Sequence, residues 1–349
     1  NWNVLAVIPD VILPSVAGFT ITATNVNASV TNNDLVAASI DCLCWSIHTD
    51  DRAFGAVQTV VLTPQPFVPS YGASALGFSP ARTIFVAQSG GHATTIAGGI
   101  ALASALVPAP SAADPATVLV FPSVYPEAPL IIPSFVSLIG MGGTDATIIA
   151  ATTATAPLIT GMTGALVQGF TLRGADGVGG VGIFHSAAGI FTCRTLIVRD
   201  CTTAVRATGA GSIFIAIDVT VIRVPGETLT TAYRCDTGAN LNAASVRAFG
   251  VVGTPIAVGF DVDGVGSDFV AQGVVCVDVD DSLRAGGSGL LNVNGGEVRR
   301  PVNGFHVLAN GTIDATGIEI EDGSGFDLLV DAASSTFRGV ANAIRTDRI

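Results

Sequence analysis

The chain repeats itself on a short, irregular period, and that repeat limits its fold more than any other feature. From about residue 164 onward, each line carries a short strand, a glycine or polar bend, a second strand and a loop. Lines begin near residues 164, 189, 211, 239, 267, 288, 311 and 334, at spacings of 25, 22, 28, 28, 21, 23 and 23. The segment Gly164-Ala-Leu-Val-Gln-Gly-Phe-Thr-Leu-Arg173 matches Gly289-Leu-Leu-Asn-Val-Asn-Gly-Gly-Glu-Val298 and Gly311-Thr-Ile-Asp-Ala-Thr-Gly-Ile-Glu-Ile320 in alternation and in its internal glycine. Each line closes on a further strand, as in Gly182-Ile-Phe-His185, Ala232-Tyr-Arg-Cys235, Gly259-Phe-Asp-Val262, Gly304-Phe-His-Val307 and Gly325-Phe-Asp-Leu328. A helix-free unit of this length cannot bury its own apolar face, whereas stacked copies bury a continuous one. The repeat therefore predicts an all-β fold, a right-handed parallel β-helix with three-strand turns of about 24 residues. The leucine-rich pattern and the four-strand, roughly 40-residue propeller blade are both absent.

Composition agrees with a β-solenoid. The 41 glycines and 17 prolines, with many β-branched residues and 2 methionines, supply turns and strands rather than helices. Hydrophobic residues make up 49% of the 349, enough for a large core. The apolar runs are short and broken, so no bilayer-spanning helix and no membrane insertion is expected. All 15 basic residues are arginine, against 27 acidic ones, and the net charge of −12 argues against a nucleic-acid partner. Six cysteines (Cys42, Cys44, Cys193, Cys201, Cys235, Cys276) form no CxxC pair and read mostly as buried free thiols. Asn1 reads as the start of a processed or truncated chain.

The segment ahead of the repeat contains Thr83-Ile-Phe-Val86, Gly90-Gly-His-Ala-Thr-Thr-Ile96 and an Ala-rich stretch to Leu106. Thr117-Val-Leu-Val-Phe-Pro-Ser-Val-Tyr125, Pro129-Leu-Ile-Ile-Pro133 and Val136-Ser-Leu-Ile-Gly140 follow. This succession resembles the first turns of the pectin-lyase-like β-helix superfamily, with Ser123 where glycine is usual. The resemblance covers roughly residues 83 to 349. It implies that the Ala-rich stretch is a helix capping the open core, and it is specific for fold rather than activity. Residues 1–80 stand outside it and read as a small N-terminal β region that caps or attaches the solenoid formed by residues 81–349. Within that region Phe19–Thr24 alternates, Val57–Leu62 is a further strand, and a Pro-rich link runs from Pro64 to Pro69.

The acidic residues gather as Asp261, Asp263 and Asp268; as Asp278, Asp280 and Asp281; and as Glu319, Glu321 and Asp322. Glycoside hydrolysis needs two carboxyls about 5 to 9.5 Å apart, and neighbouring turns stack at about 4.8 Å. Asp280 and Glu321 are the catalytic candidates this leaves, beside a reading with no catalytic residues. Aligning turns on Gly273, Gly295 and Gly317 puts Asp278, Arg300 and Asp322 in one column and Arg299 beside Glu321 in the next, as a solvated charge ladder would have them. The superfamily's G-H-G, R-I-K, Q-D-T-L and G-R-P-W motifs are missing, and a lysine base is excluded because the chain has no lysine. His48, His92, His185 and His306 lie far apart and read as surface or satisfied polar residues. No cofactor and no metal site is expected; the Gly-rich runs at Gly140–Gly143 and Gly177–Gly180 read as turns.

On these grounds the sequence points first to a non-enzymatic, rigid building block of a viral particle in a tegument, fibre or surface layer. Such a protein would assemble with itself, as a trimer for instance, and with other virion proteins. The alternative is a polysaccharide-binding or depolymerising, tailspike-like enzyme at an extracellular or cell-surface site, with glycan as its partner. The 2 Trp and 3 Tyr weigh against it, since sugar platforms use flat aromatic faces. A cellular adhesin ranks last because such proteins avoid cysteine.

Overall fold

The computed structural model describes residues 19–24, 27–31, 46–50, 57–62, 82–331, 334–340 and 343–345. The chain divides into two compact units, Asn1–Ala81 and Arg82–Ile349. In the first, Phe19–Thr24 pairs antiparallel with Val57–Leu62, and Asn27–Thr31 with Ser46–Asp50. The two strands expected from the sequence thus exist and pair with each other. Cys42, Cys44 and the Pro64–Pro69 link lie outside the described residues, and of His48 only the backbone, on Ser46–Asp50, is described.

The second unit is a parallel β-solenoid of two sheets, one of fifteen strands and one of nine. The nine-stranded sheet runs through Leu130–Ile132, Pro157–Gly161, Val181–His185, Thr203–Thr208, Thr231–Asp236, Ile256–Asp263, Val279–Ala285, Asn303–Val307 and Phe326–Val330, one strand per turn. In the larger sheet the other two strands of a turn commonly merge. Gly189–Arg199, Ser212–Ile222, Asp268–Val277, Leu290–Arg299 and Thr312–Glu321 are single long strands bent in the middle.

The bend lies in one register column: Gly169, Thr195, Asp218, Ser245, Gly273, Gly295, Gly317. All seven have positive φ, between 47° and 79°. Glycine enters this left-handed region freely, and Asp tolerates it. At Thr195, a β-branched residue, the stacked rungs on either side impose it.

Inward positions alternate with outward ones and form columns that run the length of the solenoid. Val205, Tyr233, Phe260, Leu283 and Phe305 are stacked in register and buried, as are Phe191, Phe214, Leu241, Phe269, Leu291 and Ile313. The Tyr233 and Phe260 rings stack 4.8 Å apart at 5°, and Phe191 lies 5.0 Å from Phe214. Cys193, Cys201, Cys235 and Cys276 fill the same core as free, buried thiols, and burial pushes Cys201 and Cys235 up to about 12. Thiols so held are inert at neutral pH.

A helix, Ile96–Ser104, closes the first turns, as the superfamily resemblance implies. Ile96, Gly99, Ile100 and Ala103 face the core, and a side chain at Gly99 would come within 2.3 Å of Val86 Cγ2. The helix N-terminus leaves orphan N–H groups, which are answered from outside the helix. Ile96 N–H donates to the Glu127 carboxylate at 2.6 Å, and Gly98 N–H to Thr95 Oγ1 at 3.1 Å. At the other end, Leu328 and Val330 stack on buried Phe305 and Val307 yet remain 40% and 43% exposed, because the nine-stranded sheet ends with them.

Candidate functional site

The charged side chains fall into two regions with different electrostatics. The first is the outer face of the nine-stranded sheet. Register places Thr160, Phe184, Arg206, Arg234, Asp261, Arg284, His306 and Leu329 in one outward column. From Arg206 onward every charge is matched. Arg206 and Arg234 both hold Asp236, at 3.0 and 2.9 Å, and Arg234 also lies 3.9 Å from Asp261. Arg284 grips Asp261 with two hydrogen bonds of 2.9 and 3.1 Å and lies 3.8 Å from Asp281. Asp281 accepts from Asn303 Nδ2 at 2.8 Å and meets His306 Nδ1 at 2.9 Å, and His306 Nε2 meets Asp331 at 2.9 Å. The Arg206 guanidinium also lies 5.9 Å from the Phe184 ring centroid.

This face is a closed chain of ion pairs. The side chains of Asp236 and Asp261 are only 6% and 3% exposed, so their charges depend on those arginines. Burial alone would raise Asp236, but the Thr208 hydroxyl, Arg206 and Arg234 outweigh it and hold the carboxyl below its ordinary value.

The second region is the rim of loops through which the long bent strands return to the nine-stranded sheet. Asp176 follows Leu166–Arg173, Asp200 follows Gly189–Arg199 with φ 53°, and Glu227 sits in the loop after Ser212–Ile222. Backbone contacts fix all three. Glu227 Oε2 accepts the N–H groups of Asp200 and Val224, each at 3.0 Å. Thr202 and Thr228 hydroxyls donate to the Asp176 carbonyl at 3.0 and 2.6 Å. None of the three carboxylates is in an ion pair among the described residues.

Asp200 is raised above its ordinary value by burial and by Asp176, against the pull of Arg173 and Arg199. Glu227 is raised by burial and by Asp200, although two backbone N–H groups and Arg199 oppose the shift. Burial and neighbouring carboxylates thus move both carboxyls upward, the direction that suits a general acid.

Asp280 lies further along the same rim. Burial and its neighbour Asp281 raise it, and Arg223 lowers it. Arg223 reaches across the rim to the Pro255 carbonyl, tying the Val224–Thr230 loop to the next one. Glu321 is not its partner. Glu321 pairs in register with Arg299, and Arg299 with Val277, which puts Glu321 two turns beyond Val277 and in a different column from Asp280. At about 4.8 Å per turn the two carboxyls are separated by about 9.6 Å along the axis alone, before the lateral offset is added. Glu321 instead faces Arg299 at 3.5 Å.

The ladder read from the sequence is present: Arg300 binds Asp278 through two hydrogen bonds of 2.8 and 2.7 Å. Of the first acidic group, Asp261 is buried in the sheet ladder, Asp263 is half exposed beside Arg234, and Asp268 faces outward from the other sheet. His185 and His306 occupy corresponding strands but opposite faces. His185 pairs in register with inward Ala207 and is buried, with its nitrogens 2.8 and 3.0 Å from the Gly161 and Gly189 carbonyls, whereas His306 points outward. His92 Nδ1 accepts the Phe85 N–H at 3.0 Å.

The Asp200–Glu227 pair escaped the sequence reading, although a signal for it exists. The line beginning near 211 runs 28 residues, and the surplus is the loop carrying Pro225, Gly226 and Glu227. In repeat folds such insertions collect on the binding face.

No family of known proteins and no curated protein matches the chain. Solved structures do. A polygalacturonase from Erwinia carotovora ssp. carotovora is 13% identical at a TM-score of 0.45, covering 76% of this chain and 96% of that one. The catalytic domain of a GH87 alpha-1,3-glucanase in complex with nigerose is 11% identical at 0.40, covering 87% and 72%. The pectin methylesterase PemA from Erwinia chrysanthemi is 13% identical at 0.38, covering 75% and 88%. These are glycan-active enzymes, and on that finding the expectation of an inert virion building block is corrected in favour of the alternative weighed beside it. The structural counterpart lies in the rim: Asp176, Asp200 and Glu227 fall in none of the three acidic clusters read from the sequence, and none of them is in an ion pair among the described residues. In fold, the chain is a right-handed parallel β-helix, as its repeat predicts.

Proposed function

We propose that this protein is a glycan-active enzyme of the depolymerising type, with Asp200 and Glu227 as its acid and base. The observation that carries this reading is their arrangement. Two half-buried carboxyls on consecutive turns are joined through the Asp200 backbone N–H and stand outside every ion pair among the described residues. Glu227, accepting two N–H groups, is the better carboxylate, able to activate water or attack the anomeric carbon. Asp200, crowded by Asp176, is the better proton donor to the departing glycosidic oxygen. Arg173 and Arg199 stack in register on the same rim, also outside any ion pair among the described residues, and suit a glycan bearing carboxylate or sulfate groups. The solved structures of similar fold act on such polymers or on neutral ones, and supply the panel to try.

The test is release of reducing ends from pectin, polygalacturonate and alpha-1,3-glucan by the wild type, Asp200→Asn and Glu227→Gln. Each variant is expected to lose roughly 10²- to 10⁴-fold in rate, the usual worth of a positioned acid or base. Cleavage unchanged in both folded variants, or no cleavage of any polymer by the wild type, would overturn the assignment.

A further inference from the structure

We propose that His306 is a pH-dependent clamp that fastens the last strand of the nine-stranded sheet, Phe326–Val330, to the turns before it. The ring is 14% exposed and stands between two carboxylates, with Nδ1 2.9 Å from Asp281 and Nε2 2.9 Å from Asp331. A neutral imidazole has one donor nitrogen and one acceptor, so it can answer only one carboxylate and turns its lone pair on the other. Only the imidazolium, with two donors, satisfies both. Asp281 belongs to Val279–Ala285, His306 to Asn303–Val307, and Asp331 directly follows Phe326–Val330. One proton therefore ties three successive turns together.

The charged groups facing the ring are few. Val279–Ala285 contributes Asp281 and, in register with the histidine, Arg284, whose charge is taken up by Asp261 at 2.9 Å. Phe326–Val330 presents Leu329 in register and leads to Asp331, while on its own strand the nearby polar neighbour is Asn303, bound to Asp281. Burial would favour the neutral ring, but the two carboxylates outweigh it and lift His306 above its ordinary 6.5.

The sign follows from linkage. A raised folded-state value means that the clamp is fully engaged below about 6.5 and is lost as pH rises through the folded value. The strand it fastens is the last of the nine described, and its Phe326, Leu328 and Val330 are 62%, 40% and 43% exposed.

The experiment is an NMR titration of the full chain, with the His306 ring signals identified by their absence in His306→Gln, alongside hydrogen exchange of the Leu329 to Asp331 amides corrected for intrinsic rates. The wild type should titrate above an ordinary histidine. Protection of those amides should fall with rising pH by up to about tenfold per unit, the slope of a single released proton. Asp331→Asn should lower the midpoint, and His306→Gln should flatten the pH dependence of exchange. A wild-type midpoint at or below the ordinary value would overturn the proposal whether or not either variant folds, and so would the same pH dependence in His306→Gln.

Discussion

The outer sheet face and the loop rim hold carboxylates on the same scaffold, at the same pitch, in opposite electrostatic states. On the face, Asp236 and Asp261 are almost wholly buried and each is bound by arginine, and Asp236 is held below its ordinary value. On the rim, Asp200 and Glu227 are only half buried, yet burial, with Asp176 acting on Asp200 and Asp200 on Glu227, raises both. Degree of burial therefore does not set the direction in which these carboxyls shift. What separates them is whether an arginine is held at ion-pair distance, as Arg206, Arg234 and Arg284 are on the face and as, among the described residues, Arg173 and Arg199 on the rim are not.

The comparison can be broken first at the rim. Beyond the loss of cleavage, Asp200→Asn should leave stability at neutral pH equal or slightly higher, within about 1 kcal/mol, because it removes a charge the fold disfavours. A chemical denaturation curve beside the rate assay checks both halves at once. On the face the opposite holds. Arg284→Met leaves the buried Asp261 carboxylate without its bidentate partner and should cost about 3 to 5 kcal/mol in the same measurement. A core substitution calibrates that scale: Phe214→Ala, deep in the stacked aromatic column, should also cost about 3 to 5 kcal/mol. The smallest effect belongs to the exposed ladder at the far end. Arg300→Ala, despite two short hydrogen bonds to Asp278, should cost no more than about 1 kcal/mol, since the Arg300 side chain is 48% exposed.

Acid titration sharpens the contrast further. Asp236 lies below its ordinary 3.8, so its contribution is present above that value and disappears as pH falls through the lower folded one. Asp200 and Glu227 lie above their ordinary 3.8 and 4.5, so the cost of charging them is present at neutral pH and vanishes as pH falls through their folded values. In Asp200→Asn the gain in stability on mild acidification should shrink, while in Asp236→Asn the loss at more acid pH should shrink. Unfolding curves collected from neutral to strongly acid pH distinguish the two.

Most of the solenoid could be read from the sequence, because it depends on local periodicity. The glycines at 273, 295 and 317 mark the bend column, and aligning on them places Arg300 on Asp278 as found. The same alignment loses its marker at Thr195, Asp218 and Ser245, which hold the bend without glycine because neighbouring rungs impose it. The site was less accessible for a related reason. Asp200 and Glu227 are 27 residues apart and meet only because an irregular loop folds back onto the preceding turn. His306 reaches carboxylates 25 residues away on either side, contacts that depend on loop lengths the repeat does not fix. Pairing Asp280 with Glu321 failed because it followed sequence clusters rather than rung-by-rung register.

The most direct measurement is a site-resolved carboxyl titration by carbon-13 NMR, assigned with Asp200→Asn, Glu227→Gln and Asp236→Asn. The account predicts Asp200 and Glu227 titrating above 3.8 and 4.5, each responding when the other is neutralised, and Asp236 titrating below 3.8. Asp200 and Glu227 titrating at or below those values, independently of each other, would place the rim in the same electrostatic state as the sheet face and contradict the account.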